Sequence, residues 1–174
     1  MMRCLAAGGM EIAYTMKQTN HVAFHGYEPT PGGVYETAAY EFRRPDFIQA
    51  YDRKVTKIPL HTLLDLPKYD YKLLFMLRDP ESIRRSMLRY LPMALFWNED
   101  LTWFYSQAVL VLLAELERRG DFSVYEIWYE GIIANPILKF SQIRDFGFPI
   151  DVEKASAVVD ARLERNNKER INNA

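Results

Sequence analysis

Apolar and polar positions along the chain alternate between two periods. Tyr71 to Leu77 (YKLLFML) is a nearly uninterrupted apolar run, the pattern of a strand buried on both faces in a parallel sheet covered by helices. Asp79 and Pro80 follow, a good helix cap and a proline suited to the first turn, so a helix is expected to start directly from the strand and run to a break near Pro92. LTWFYSQAVLVLLAELERRG has helical spacing. Leu101, Phe104, Ala108, Val111 and Leu112 trace one wide stripe, with Asp100 as cap and Gly120 as stop. FSVYEIWYE reads as a further strand, IIANPILKFSQIRDFG as a helix, and DVEKASAVVDARLER as a last helix before a polar, frayed tail at 166–174.

The N-terminal half is less regular. MMRCLAAGG reads as the tail of a helix closed by Gly8-Gly9, and MEIAYT as a short strand. Met16 to Gly33, with Pro29, Pro31 and three glycines, reads as a long loop. Tyr35 to Arg44 is predicted to be a helix ended by Pro45, and VTKIPL a strand stopped by Pro59. Strands and helices alternate, so the class is α/β, and without repeat or linker residues 1–174 read as a single domain.

Composition narrows the picture. The 22 basic and 23 acidic residues nearly cancel, so nothing in the overall charge points to a nucleic-acid partner or an anionic membrane surface, and any anion site must be local. Cys4, the sole cysteine, excludes an internal disulfide and reads as a small buried hydrophobe. The longest apolar stretch, Ala108 to Ala114, falls far short of the ~20 residues that cross a bilayer. With no signal-peptide pattern at the start, a cytoplasmic protein is expected.

Arg78 carries the candidate chemistry. In parallel α/β sheets, ligands gather beyond the carboxyl ends of the strands, where helix N-termini favour anions. A guanidinium at such an exit can grip a phosphate bidentately, and Ser86 adds a hydroxyl if the ligand lies alongside the helix. Spacing alone leaves a second reading open, in which Arg78 pairs with a carboxylate and Ser86 is an ordinary helix-surface residue.

YKLLFMLRDPESIRRS resembles the segment of 3′-phosphoadenosine-5′-phosphosulfate-dependent sulfotransferases in which an apolar strand leads into Arg-Asp-Pro, with a serine eight positions after the arginine. VTKIPLHTLLDLP is similar to the family's strand ending in a lysine, YEGIIANP to its Y-E-D-L-x-x-x-P stretch, TPGGVYE to N-P-x-G-Y-Y-E of bacterial members, and VDARLERN to a C-terminal Leu-x-Arg-Asn segment. The likeness implies a P-loop NTPase-like, three-layer fold with a parallel sheet. It also implies a phosphosulfate donor as co-substrate, no metal, and a small-molecule or carbohydrate acceptor bearing a hydroxyl or amine. Arg78 and Ser86 would bind the donor's 3′-phosphate, Tyr129 would lie near the adenine, and Arg165 matches an arginine that some members bring to the 3′-phosphate.

The likeness begins after the family's first strand and its P-R-S-G-T-S phosphate loop. The chain is therefore expected to lack both, as a fragment, with a start further upstream, or as a remnant that binds adenosine 3′,5′-bisphosphate without catalysis. Three or four missing charge-assisted contacts would cost at least ~4 kcal/mol of donor binding, about a thousandfold in affinity. Another P-loop enzyme such as a nucleotide kinase is the remaining alternative, although no arginine-rich lid is evident.

Sulfuryl transfer requires a base for the acceptor's proton, cations on the equatorial oxygens and a held leaving phosphate. Lys57 matches a family position near the transferring group. Where many members carry a histidine two residues later this chain has Pro59, which leaves His61 and Glu36 as candidate bases. His21 and His25 have no third ligand nearby, so no metal site is expected there. Trp97, Trp103 and Trp128 read as core or cleft-lining aromatics.

Overall fold

Strand β3, Tyr71–Leu77, forms where the apolar run predicts it, and its parallel partner is β4, Phe122–Trp128. A computed structural model describes residues 1–13, 16–17, 35–36, 39–88 and 99–159. The chain is a mixed α/β protein with a small parallel two-stranded sheet. It divides into two compact units. The described part of one is residues 1–13, 16–17, 35–36, 39–71 and 137–158; that of the other is residues 72–88, 99–136 and 159.

The first unit opens with α1, Met2–Ala7. Gly9 closes it with φ +98°, while Gly8 keeps an ordinary negative φ. The Gly9 N–H donates to the Ala6 carbonyl and the Met10 N–H to that of Leu5, which satisfies the last carbonyls of the helix. The described part of the expected strand MEIAYT, residues 10–13, holds one parallel bridge, between Ile12 and Val55. In VTKIPL the β-bridge falls at Val55, and Pro59 offers no N–H to continue a ladder. Two-residue strands β1, Met16–Lys17, and β2, Tyr35–Glu36, pair antiparallel, with Met16 opposite Glu36. The rest of the expected loop lies outside the described residues.

The predicted helix at Tyr35 to Arg44 is thus β2 followed by a 3₁₀ turn, Ala39–Arg43, and Pro45 precedes a short α2, Phe47–Tyr51. The physical reason is partnership: residues 35–36 find a strand to pair with, and a nascent helix cannot outweigh that ladder. A second 3₁₀ segment spans Leu60–Asp65. Leu5, Phe47, Phe140, Ile143 and Ala155 are among the buried side chains of the first unit.

In the second unit, α3, Pro80–Leu88, starts from β3 as expected, and its predicted break near Pro92 lies outside the described residues. Helix α4, Glu99–Arg119, begins one residue before Asp100, which therefore sits inside the first turn rather than capping it. Among its described side chains Val109 and Leu116 are buried, whereas Ala108 and Val111 of the predicted stripe are exposed. Residues 108–114 are apolar almost all round, so spacing could not choose the face. Likewise only Phe75 of β3 is buried and Met76 is 38% exposed, because an apolar run reports strand preference but not which faces are covered.

The helix expected across residues 132–147 is two helices, α5 (Tyr129–Ala134) and α6 (Pro136–Asp145). Asn135 between them adopts φ −146°, ψ 74°, as the residue before a proline is driven out of the helical region. Helix α7, Val152–Ala157, ends at the Val158 cap, well short of the predicted last helix. Residues 160–174, and the expected frayed tail with them, lie outside the described residues. No described helix is long and apolar enough to cross a membrane.

Candidate functional site

Two parallel strands end at one edge of the sheet, so Leu77 and Trp128 deliver their next residues, Arg78 and Tyr129, to the same place. Helix α3 starts at Pro80, with Asp79 alone between it and Arg78. Asp79 Oδ2 accepts from the Ser82 N–H at 2.7 Å, and Pro80 occupies the first helical position, where a missing N–H costs nothing. On the neighbouring strand the turn into α5 begins at once with Tyr129 and Glu130.

These elements converge on Arg78. Its guanidinium carbon lies 4.8 Å from the centre of the Tyr129 ring, a cation–π contact contributing about 0.5–2 kcal/mol. Arg78 Nε is buried and has no hydrogen-bond partner. Glu130 Oε1 accepts a long, 3.5 Å hydrogen bond from the Asp79 N–H, and Glu130 Oε2 is buried without a partner. A donor and an acceptor of opposite charge are thus both unsatisfied at one strand edge, each costing about 1–3 kcal/mol or more. They are not paired with each other among the described residues.

The first unit offers a contrasting cavity of about 490 Å³, lined by Glu11, Glu41, Arg44, Tyr51 and Lys54 among others. Its charges are matched within the chain. Arg44 donates to Glu41 at 3.0 Å and to Asp46 at 2.7 Å, and Lys54 lies 3.1 Å from Glu11. The Asp46 side chain, held by Arg44, has its carboxyl below the usual range, and Arg44 is pushed above its ordinary value by Asp46 first and Glu41 second. Nothing in that cavity calls for a ligand.

Of the residues singled out in the sequence, Arg78 and Tyr129 are brought into contact. Ser86 lies within α3, with its side chain outside the described set. Lys57 is exposed on the extended segment after Val55. His61 falls in the second 3₁₀ segment and Glu36 in β2, both without described side chains. Arg165, His21, His25 and Trp97 lie outside the described residues. Trp103 and Trp128, read as core or cleft aromatics, are 65% and 52% exposed. Trp128 follows the buried Ile127 in β4, and the period of two turns it outward.

Glu130 was missed as a site residue. Its signal was its place next to Tyr129 at the end of a strand, which becomes informative only once β4 is known to lie beside β3. Cys4 is buried as expected, and burial raises its thiol pKa above the ordinary value. Among the described residues no three His, Cys, Asp or Glu side chains gather in a way that could hold a metal. The chain matches no family model, no curated protein and no solved structure.

Proposed function

We propose that this protein is a sulfotransferase-like nucleotide-binding domain, with a P-loop NTPase-like three-layer fold, whose β3 exit takes the 3′-phosphate of a phosphoadenosine nucleotide. One observation carries this reading. The two positions to which the resemblance separately gives the 3′-phosphate and the adenine, Arg78 and Tyr129, lie against each other with Arg78 Nε unpartnered. Arg78 would donate to the phosphate, Ser86 would add a hydroxyl from α3, and Tyr129 would present its ring to the base.

In the reaction itself, the acceptor's oxygen or nitrogen bonds to sulfur as the sulfur–oxygen bond to the 5′-phosphate breaks. Adenosine 3′,5′-bisphosphate leaves, and the acceptor proton passes to a base. The roles of Lys57 near the sulfuryl group, of His61 or Glu36 as base, and of Arg165 at the 3′-phosphate rest on the resemblance alone.

Calorimetric titration with adenosine 3′,5′-bisphosphate tests the reading. Arg78→Ala should weaken binding about ten- to a hundredfold, the loss of one charge-assisted hydrogen bond. Equal affinity in the two proteins overturns the assignment of the phosphate to Arg78. Transfer of labelled sulfate from the phosphosulfate donor to a phenol or amine separates an enzyme from a binding protein.

A further inference from the structure

We infer that Glu130 is a specificity-determining residue of this site, accepting a hydrogen bond from a hydroxyl that neighbours the ligand's phosphate, so that the site takes a ribonucleotide and discriminates against its 2′-deoxy counterpart. The inference rests on the nucleotide reading above and extends it to a residue that reading leaves unused.

The argument starts from the two unsatisfied atoms. Arg78 Nε carries a single hydrogen and can only donate; an ionised carboxylate oxygen, Glu130 Oε2, can only accept. A ligand that answers both must offer an acceptor and a donor. A lone phosphate dianion answers the first and is repelled by the second. A purely apolar ligand answers neither.

The backbone limits how far apart that acceptor and donor can be. Tyr129 and Glu130 are consecutive, and one meets Arg78 while the other meets Asp79. The ring of Tyr129 lies 4.8 Å from the guanidinium carbon, and Glu130 Oε1 lies 3.5 Å from the peptide N–H that directly follows Arg78. Both unsatisfied atoms therefore belong to side chains that reach the Arg78–Asp79 segment, so one ligand seated at the strand exit can meet both. A phosphate ester with a hydroxyl on the adjacent carbon meets that requirement. In a ribonucleoside 3′-phosphate the 2′-hydroxyl is that group. Its proton satisfies Oε2, and the phosphate oxygens satisfy Nε–H.

Discrimination follows from the cost of leaving a buried charged acceptor unpaired. A site that hydrogen-bonds a substrate hydroxyl rejects the analogue lacking it, because the protein group is then stranded. The Glu130 carboxylate would be stranded in this way by a 2′-deoxy ligand.

The test is calorimetric titration of the full chain with adenosine 3′,5′-bisphosphate and with its 2′-deoxy analogue, for wild type, Glu130→Gln and Glu130→Ala. Wild type should prefer the ribonucleotide by about tenfold or more. Glu130→Ala should bind both ligands alike, and Glu130→Gln, which keeps a neutral acceptor, should retain part of the preference. Equal binding of the two ligands by wild type, or a preference that survives in Glu130→Ala, overturns the role of Glu130 and leaves the nucleotide reading intact. Binding of neither ligand by wild type overturns both. The wild-type comparison needs no substitution, so it decides the matter even if a variant fails to fold.

Discussion

Two carboxylates illustrate how differently the two units treat buried charge. Glu41 in the first unit is 5% exposed and is held by Arg44 at 3.0 Å and by the Tyr51 hydroxyl at 3.4 Å. Glu130 in the second has one long hydrogen bond and one buried oxygen with no partner, although Arg78 nearby also has an unsatisfied nitrogen. The first arrangement is what a structural carboxylate requires, since a buried charge is tolerated only when it is paired and hydrogen-bonded. The second stores a cost that a ligand with matching groups can release. Elsewhere in the first unit packing is equally closed: a Cβ on Gly8 would meet Ile150 Cβ at 3.1 Å and both Ala155 Cβ and the Asp151 carbonyl oxygen at 3.3 Å. Ser156 Oγ is buried there without a partner, but it is neutral and cheaper to leave so.

The sharpest way to break the comparison is to delete the paired carboxylate. Glu41→Ala should cost about 2–3 kcal/mol, through lost hydrogen bonds and packing, in a urea-unfolding midpoint corrected for slope. A loss no larger than that of Glu130→Ala would show that pairing does not separate the two sites.

Gly8→Ala comes next, at about 1–3 kcal/mol, because the neighbouring atoms are a backbone oxygen and two Cβ atoms that cannot swing aside. Gly120→Ala, at φ +71° but with open space around its Cβ position, should cost only about 1 kcal/mol. If thermal scans rank the two equally, the tight approach of Gly8 to Ile150 and Ala155 is not what constrains it.

Acid should weaken the first unit through the α7 cap. Asp151 accepts from the Lys154 N–H at 3.0 Å and pairs with Lys154 Nζ at 2.9 Å, and the Lys154 side chain, ahead of its backbone N–H, holds the carboxyl below its ordinary value. A carboxyl lowered on folding contributes stability above its unfolded pKa of about 4 and loses it as the pH falls through the folded value. The stability gap between wild type and Asp151→Ala should therefore be present at pH 6 and narrow steadily below pH 4, read from urea midpoints. A gap unchanged at pH 2.5 would place the effect elsewhere.

The smallest change is expected at the strand exit. Arg78→Ala gives up a cation–π contact of about 0.5–2 kcal/mol and removes an unsatisfied buried donor worth about 1–3 kcal/mol, so the two offset to a gain of about 0.8 kcal/mol at mid-range, within limits of about 1 kcal/mol lost and about 2.5 kcal/mol gained. A severe loss of stability would make Arg78 a structural residue and erase its difference from Arg44.

Much of the fold was legible because its signals are local. An apolar run marked β3, Asp79 and Pro80 marked the start of α3, and Gly120 marked the end of α4, each through backbone preferences that act over a few residues. The errors fell where a distant partner or a neighbouring proline decided. Residues 35–36 pair with 16–17 instead of coiling, Asn135 breaks an otherwise helical pattern before Pro136, and the apolar girdle of α4 hides which face is buried.

The candidate site divides along the same line. By itself the amino-acid sequence determined that Arg78 leaves a strand and enters a capped helix, since both depend on contiguous residues. Only the tertiary structure decided that Tyr129 and Glu130 meet it, across 51 positions in the case of Glu130 and Asp79. The pairing of parallel strands brings their carboxyl ends to one edge, and no local propensity encodes which strand will be the neighbour.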